Sequence, residues 1–279
     1  LVEGAYNLPV LRALAGPAGD ELAGLLGTPI QGEAWERART LVRESSAIEE
    51  SITVGELSQT MGVKGNELIR KLMALGKNYA EHARETGSAP PDKQIWFCKQ
   101  ATSANGPYDP IDLPKVSEQL DYEAELVVVM GKRAKHVSRE DALAHVFGYA
   151  CGNDVSVRDW QKMTQQWVIG KGFDTHAPFG PWITTADEIG DPQTLGIRCL
   201  VNGEVRQSSS TANMIFAVAD QIALLSQAMT LEPGDIIFTG TPEGVAMGMA
   251  TPLWLKAGER VRVEIDGLGA LDNPVRPEP

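Results

Sequence analysis

The apolar positions of this chain fall into two textures that meet near Pro90. Upstream, VLRALAGPAGDELAGLL and EAWERARTLV place apolar residues three and four apart, the period of a helix with one buried face, and Gly-Pro-Ala-Gly and Gly-Thr-Pro interrupt them. Residues 1–76 are therefore predicted to form a small, mostly helical N-terminal region, with 77–279 as a second, larger domain. Downstream, IWFCK, ELVVVMG, PWITT, IRCLVNG, DIIFTG and RVRVEIDGLG are short and rich in β-branched and aromatic residues, the signature of strands. Val201-Asn202-Gly203-Glu204 and Glu232-Pro233-Gly234-Asp235 supply turns between them. Two helices are expected within the β region. One is SREDALAHVF, capped by Ser138 with Asp141; the other is NMIFAVADQIALLSQAM, with Ile215, Ala219, Ile222, Leu225 and Met229 on one face. Strands and helices do not alternate regularly, which argues against a doubly wound parallel sheet, and a mostly β, α+β fold is expected.

One predicted strand breaks its own pattern. In LDYEAELVVVMGK, Glu123 and Glu125 stand two residues apart at the mouth of an apolar run, so both carboxylates point to the same face and repel. A divalent cation between them removes the conflict, and hard oxygen ligands suit magnesium, calcium or manganese. Asp154, after the apolar run FGYACGN, is a candidate third carboxylate; Arg158 and Gln161 follow at four and seven residues, on one face with it if the segment is helical. Lys171 lies between glycines near Asp174 and His176. Thr239 and Thr241 alternate with Gly240 after a strand, where hydroxyls and amides hold an oxyanion. His82 and Glu85, three apart on a helix, suit a general base, because the carboxylate orients the imidazole and favours its protonated form. Singly each has an ordinary structural reading, such as a solvated rim, a turn or a surface pair. Together they point to one site.

Charge narrows the partners. The 279 residues hold 25 Lys+Arg against 37 Asp+Glu, a net charge of −12, which argues against nucleic acid or an anionic membrane as partner. An anionic substrate must then be held by local Arg, Lys or metal. Cys98, Cys151 and Cys199 are odd in number and lack a CxxC spacing, as expected of reduced core cysteines in a cytoplasmic protein. No apolar run approaches the roughly 20 residues of a membrane span, and the chain does not open on a basic-then-apolar leader, so a soluble, untargeted protein is expected.

NYAEH, LDYEAELVVVMGK, NDVSVRDWQ, GKGFDTHAPFGPW, VNGEVRQ, MIF and PGDIIFTGTPEGV occur in this order from about Gly76 to Leu271. The set resembles the fumarylacetoacetate hydrolase family, in the branch that holds diketo-deoxy sugar-acid hydrolases and the family's domain-containing protein 2. The resemblance implies a mixed β-roll or β-sandwich catalytic domain, a homodimer, and magnesium or manganese (calcium as a stand-in in a crystal) bound by Glu123, Glu125 and Asp154. It further implies His82 and Glu85 as the water-activating dyad, Lys171 as catalytic lysine, Arg158 and Gln161 as contacts to the substrate carboxylate, Thr241 as a substrate contact, and Lys99 as a lysine near the entrance. The expected reaction cleaves the C–C bond of a 2,4-dioxo acid, an acylpyruvate or diketo-deoxy sugar acid, to pyruvate and a second carboxylic acid. Oxaloacetate decarboxylation, and isomerisation or hydration of a 2-oxo acid, remain open on the same site, and a binding protein whose initiation-factor-like segment docks RNA or a partner is the rival of another class. Three departures stand out: KQATSA lacks the paired prolines frequent after that lysine, His176 replaces a frequent Phe, and Ala246 and Ala250 replace Gly and Lys. Ser51 to Gly76 resembles the small helical module of bacterial translation initiation factor 2, where the family has a strand entering NYAEH.

Overall fold

A computed structural model describes residues 71–279 of the chain. The helices expected over residues 1–70, with most of the initiation-factor-like stretch, lie outside the described residues. The end of that stretch is not helical. Leu72–Gly76 forms strand β1, parallel to Ile236–Phe238 and antiparallel to Ile95–Lys99. The reason is tertiary: inserted between two strands, its backbone groups find partners on both sides, and these outweigh any local helical preference.

The strands that follow are β2 (Ile95–Lys99), β3 (Ala104–Asn105), β4 (Ile111–Leu113), β5 (Leu120–Asp121), β6 (Ala124–Met130), β7 (Val146–Asn153), β8 (Ser156–Val157), β9 (Ala177–Thr185), β10 (Gly196–Val201), β11 (Glu204–Ser210), β12 (Ile236–Phe238), β13 (Arg260–Ile265) and β14 (Gly269–Pro277). They make a seven-stranded sheet, β2-β1-β12-β6-β7-β9-β3, a five-stranded sheet, β11-β10-β13-β14-β4, and the small pair β5-β8. Parallel pairs (β1 with β12, β3 with β9, β4 with β14) sit among antiparallel ones, the mixed, mostly β architecture expected from the sequence. Buried Leu126, Val128 and Met130 of β6 and Tyr149 and Cys151 of β7 join Ile197 and Cys199 of β10, Val261 and Val263 of β13, and Leu271 and Val275 of β14 in one core. Asn202 and Gly203, at φ 51° and 84°, make the expected two-residue turn of the β10–β11 hairpin.

The helices are short: α1 (Ala80–Glu85), α2 (Arg158–Lys162), α3 (Val168–Lys171), α4 (Ala186–Ile189) and α5 (Val218–Ala228). Two expectations change. SREDALAHVF yields only a 3-10 turn at Ala142–His145, because β7 claims Val146 onward, although Asp141 N does donate to Ser138 Oγ (3.2 Å). The second helix starts at Val218, and Ile215 is not part of it. The preceding Ile215 N and Phe216 N donate instead to Asn78 O (2.7 Å) and Oδ1 (2.8 Å), which ties this segment to the loop before α1. All three cysteines are free; Cys151 and Cys199 are buried, but Cys98 is exposed and is not a core residue.

Candidate active site

Strand period and register assemble the acidic cluster. Along β6 the even residues Ala124, Leu126, Val128 and Met130 enter the core, so Glu123 and Glu125 face the other way. On β7 the core residues are Tyr149 and Cys151, which puts Gly152 and the following Asp154 on the same far face. Glu125 pairs with Gly152, and Asp154 N donates to Glu123 O (2.9 Å), so the three carboxylates meet across one ladder. Gly152 is required: a Cβ there would lie 2.4 Å from Val127 Cγ2 and 2.7 Å from Phe238. One oxygen from each of Glu123, Glu125 and Asp154 lies within 4.8 Å of the others, and all three residues are buried.

Three cations surround this cluster. Lys171 Nζ bridges Glu123 Oε2 (2.6 Å) and Asp154 Oδ2 (2.7 Å), while Lys99 Nζ takes the other Asp154 oxygen (2.5 Å) and Val155 O (3.2 Å). Arg158 pairs with Asp121 through Nε (2.7 Å) and with Glu123 Oε1 (2.7 Å). Burial raises the Glu123 pKa, but Lys171 and Arg158 outweigh it and hold the carboxyl at about 2. Burial also opposes charge on Lys171, and there Asp154 and Glu123 win, so its pKa is raised; at Lys99 burial wins and lowers it. Glu125 forms no ion pair among the described residues and accepts only from Gly240 N (2.7 Å) there. Burial first, then Asp154 and Glu123, push it well above the usual carboxylate range. A divalent cation is what this donor set fits: buried hard oxygens with one carboxylate still uncompensated.

A cavity of about 500 Å³ opens above the cluster, and of the triad only Glu123 lines it. His82 reaches it from α1, with Nδ1 2.8 Å from Glu85 Oε1, and Glu85 Oε2 accepts from Gly244 N (2.9 Å). The imidazole is thereby oriented, with no hydrogen bond to Nε2 among the described residues. Lys171, Arg158, Gln161 and Thr241 line the same cavity. Gln161 Oε1 accepts from Arg158 (3.0 Å), which leaves its amide hydrogens to donate. Thr241 Oγ1 accepts from Gln207 Nε2 (2.8 Å), so its proton is free for a ligand oxygen.

Other expectations are redirected. Lys99 does not stand near the entrance; its side chain lies beneath Asp154, and it does not line the cavity. Asp154 is not on one helix with Arg158 and Gln161, since β8 intervenes. The Thr239 hydroxyl donates to Leu126 O (2.8 Å) and Asp174 is exposed, so neither joins the site. His176 is buried behind it, Nε2 against Asp112 O (2.8 Å), and its ring stacks on Phe173.

Sequence reading passed over Asp121, Gln207 and Asn78. Asp121 is wholly buried and accepts from Arg158 and from the amides of Ala246 (2.8 Å) and Met247 (3.0 Å). Its signal was present, as the first acid of an alternating Asp-x-Glu-x-Glu. Gln207 accepts from Ala124 N (2.9 Å) while holding Thr241, and Asn78 Nδ2 donates to Thr239 O (2.7 Å); both clamp strands that carry site residues. Nothing in local spacing marks those two.

Residues 71–276 match the family model described as fumarylacetoacetate (FAA) hydrolase, C-terminal. Residues 49–83 match that of the translation initiation factor IF-2 N-terminal region, and the two overlap where β1 and α1 enter the site. The mitochondrial oxaloacetate tautomerase of Xenopus laevis is 49% identical over 207 residues, 74% of this chain and 65% of that protein, so the match spans just under two thirds of the relative's length. Among solved structures, fumarylpyruvate hydrolase from Pseudomonas aeruginosa, in complex with Mn2+ and pyruvate, is 37% identical with a TM-score of 0.69, covering 75% of this chain and 91% of that one. A 2-hydroxyhepta-2,4-diene-1,7-dioate isomerase from Mycobacterium marinum is 40% identical with a TM-score of 0.67, covering 76% of each chain.

Proposed function

We propose, from the premise that this chain belongs to the fumarylacetoacetate hydrolase family, that it is a divalent-metal-dependent hydrolase cleaving the C–C bond of a 2,4-dioxo acid. The observation that carries the reading is the His82–Glu85 pair, held at 2.8 Å on the same cavity as Glu123 and Lys171. Magnesium or manganese between Glu123, Glu125 and Asp154 would supply Lewis-acid polarisation of the 2-oxo group. His82 Nε2 takes a proton from water, which adds to the distal carbonyl, and Glu85 stabilises the imidazolium. The C–C bond then breaks with its electron pair moving toward the 2-oxo end, as a pyruvate enolate. Lys171 places its ammonium beside that growing charge, and Gln161 and Thr241 donate to substrate oxygens. Arg158, spent on Asp121 and Glu123, acts by holding Glu123 and Gln161 in place. A homodimer belongs to the same proposal and is checked by light scattering.

A second reading is interconversion or decarboxylation of oxaloacetate, the first of which is the activity of the 49% identical relative. It uses the same enolate and needs no activated water. The test is a panel of acylpyruvates, diketo-deoxy sugar acids, and keto and enol oxaloacetate, assayed with Mg2+ and Mn2+ on wild type and His82→Ala. We expect acylpyruvate cleavage to fall by a factor of roughly 10² to 10⁴ in the variant, with decarboxylation persisting. A wild-type protein that cleaves no acylpyruvate or sugar acid but tautomerises oxaloacetate would overturn the hydrolase reading in favour of the second.

A further inference from the structure

We infer that Tyr122 is a positioning residue for the water-activating pair: its hydroxyl fixes the segment Gly244–Gly248, and that segment seats Glu85 against His82. This rests on the reading of His82 and Glu85 as the base of the reaction and names what aims it.

Tyr122 does not line the cavity. It is 1% exposed and belongs to the core shared by β6, β7 and β10, where a phenyl ring would pack as well. A buried phenol needs a partner for its hydroxyl, and here the partner leads to the site. Tyr122 Oη donates to Gly244 O (3.0 Å). Gly244 N donates to Glu85 Oε2 (2.9 Å), and Glu85 Oε1 lies 2.8 Å from His82 Nδ1. One chain of contacts thus runs from the core through Gly244 and Glu85 to the imidazole.

The segment between them is bounded on every side by fixed groups. Gly244 has φ 103°, a conformation open to glycine, and a Cβ there would lie 2.1 Å from Arg206 O of β11. At the other end, in the 3-10 turn Ala246–Gly248, a Cβ on Gly248 would come within 2.6 Å of Glu85 Cδ and Oε2. Between these points Ala246 N and Met247 N donate to Asp121 Oδ1 (2.8 Å) and Oδ2 (3.0 Å). Asp121, Tyr122 and Glu123 are consecutive. The first two hold the segment on which Glu85 sits, and the third belongs to the acidic cluster, so one tripeptide sets the spacing between base and triad. Removing the Tyr122 hydroxyl frees the Gly244 end, and the amide that orients Glu85 moves with it. A shift of about 1 Å caused far from the chemistry can cost on the order of 10²-fold in rate.

The test is a double-mutant cycle on the Mg2+-loaded protein, read by acetylpyruvate cleavage in wild type, Tyr122→Phe, Glu85→Ala and the double variant. Tyr122→Phe keeps the ring and its packing. It is expected to lower kcat by roughly tenfold with little change in KM. In the Glu85→Ala background it should cost nothing further, because the contact through which it acts is already gone. Losses of the same size in both backgrounds, an equal loss in oxaloacetate decarboxylation, or full cleavage activity in Tyr122→Phe overturns the role. General damage would neither pass through Glu85 nor spare a reaction that needs no activated water. If the wild type cleaves no acylpyruvate, the hydrolase reading falls, and the rate at which diethyl pyrocarbonate acylates His82, followed by mass spectrometry of its peptide, still decides the positioning. A rate altered in Tyr122→Phe in the same direction as in Glu85→Ala, and no further in the double variant, supports it; any other pattern overturns it.

Discussion

At residue scale, His176 is the buried titratable group whose behaviour is easiest to isolate. Burial lowers its pKa from 6.5 to about 4, its Nε2 donates to Asp112 O, and its Nδ1 is buried with no hydrogen-bond partner among the described residues. The fold thus prefers the neutral ring. That preference is fully expressed above about pH 6.5 and is lost as pH falls from there through 4, a stability loss of roughly 3 kcal/mol for a shift of this size. His176→Phe removes the titration, so its denaturant-derived stability should fall less over this window than that of the wild type. Equal slopes for the two proteins would show that another group carries the acid sensitivity. His176 was legible in the sequence as a departure, but whether it faced the ligand was not. Asp121 shows the reverse: its place in Asp-x-Glu-x-Glu was visible, yet only Arg158 and the Ala246 and Met247 amides around it make it the anchor of the site.

At the scale of elements, β6 and β7 bring the three carboxylates together while the short helices α1, α2 and α3 supply His82, Glu85, Arg158, Gln161 and Lys171, and glycines set how closely the strands approach. Gly240 follows β12 at φ 99° and donates its N–H to Glu125 Oε2 (2.7 Å). A Cβ there would lie 2.5 Å from Asn78 Cβ and 3.0 Å from Leu75 O, both fixed parts of the scaffold. Gly240→Ala should therefore cost about 2 kcal/mol or more in denaturant unfolding, combining left-handed strain with overpacking. It should also weaken metal binding, because the amide that orients Glu125 must move. A stability within about 0.5 kcal/mol of wild type, the size of an ordinary surface substitution's effect, would show that the loop relaxes freely. The long strands were legible because β-branched runs and turn residues bound them. The two-residue strands β3, β5 and β8 carry too few residues to show a period.

At the scale of the molecule, three buried carboxylates share one small volume, and the chain meets this with two lysines, an arginine and one carboxyl whose pKa is driven upward. Divalent cations should therefore stabilise the fold as well as activate it. Mg2+ or Mn2+ at 100 times its dissociation constant is expected to add about 2.7 kcal/mol, seen as a raised Tm, and EDTA should remove both the shift and the activity. A Tm unmoved by either cation, together with full activity in a verified metal-free preparation, would sink the metal assignment.

By itself the sequence determined the strand-rich class, the pairing of Glu123 with Glu125 on one face, and the neighbourhood of His82 and Glu85, because each follows from periods of two or 3.6 residues along a local segment. Tertiary structure decided the rest. That Leu72–Gly76 is a strand, that Lys99 lies beneath Asp154, and that Asn78, Asp121 and Gln207 brace the site all depend on partners 34 to 164 residues away. No local pattern encodes such partners. They arise when sheet register brings distant segments together and every buried donor and acceptor must find its match.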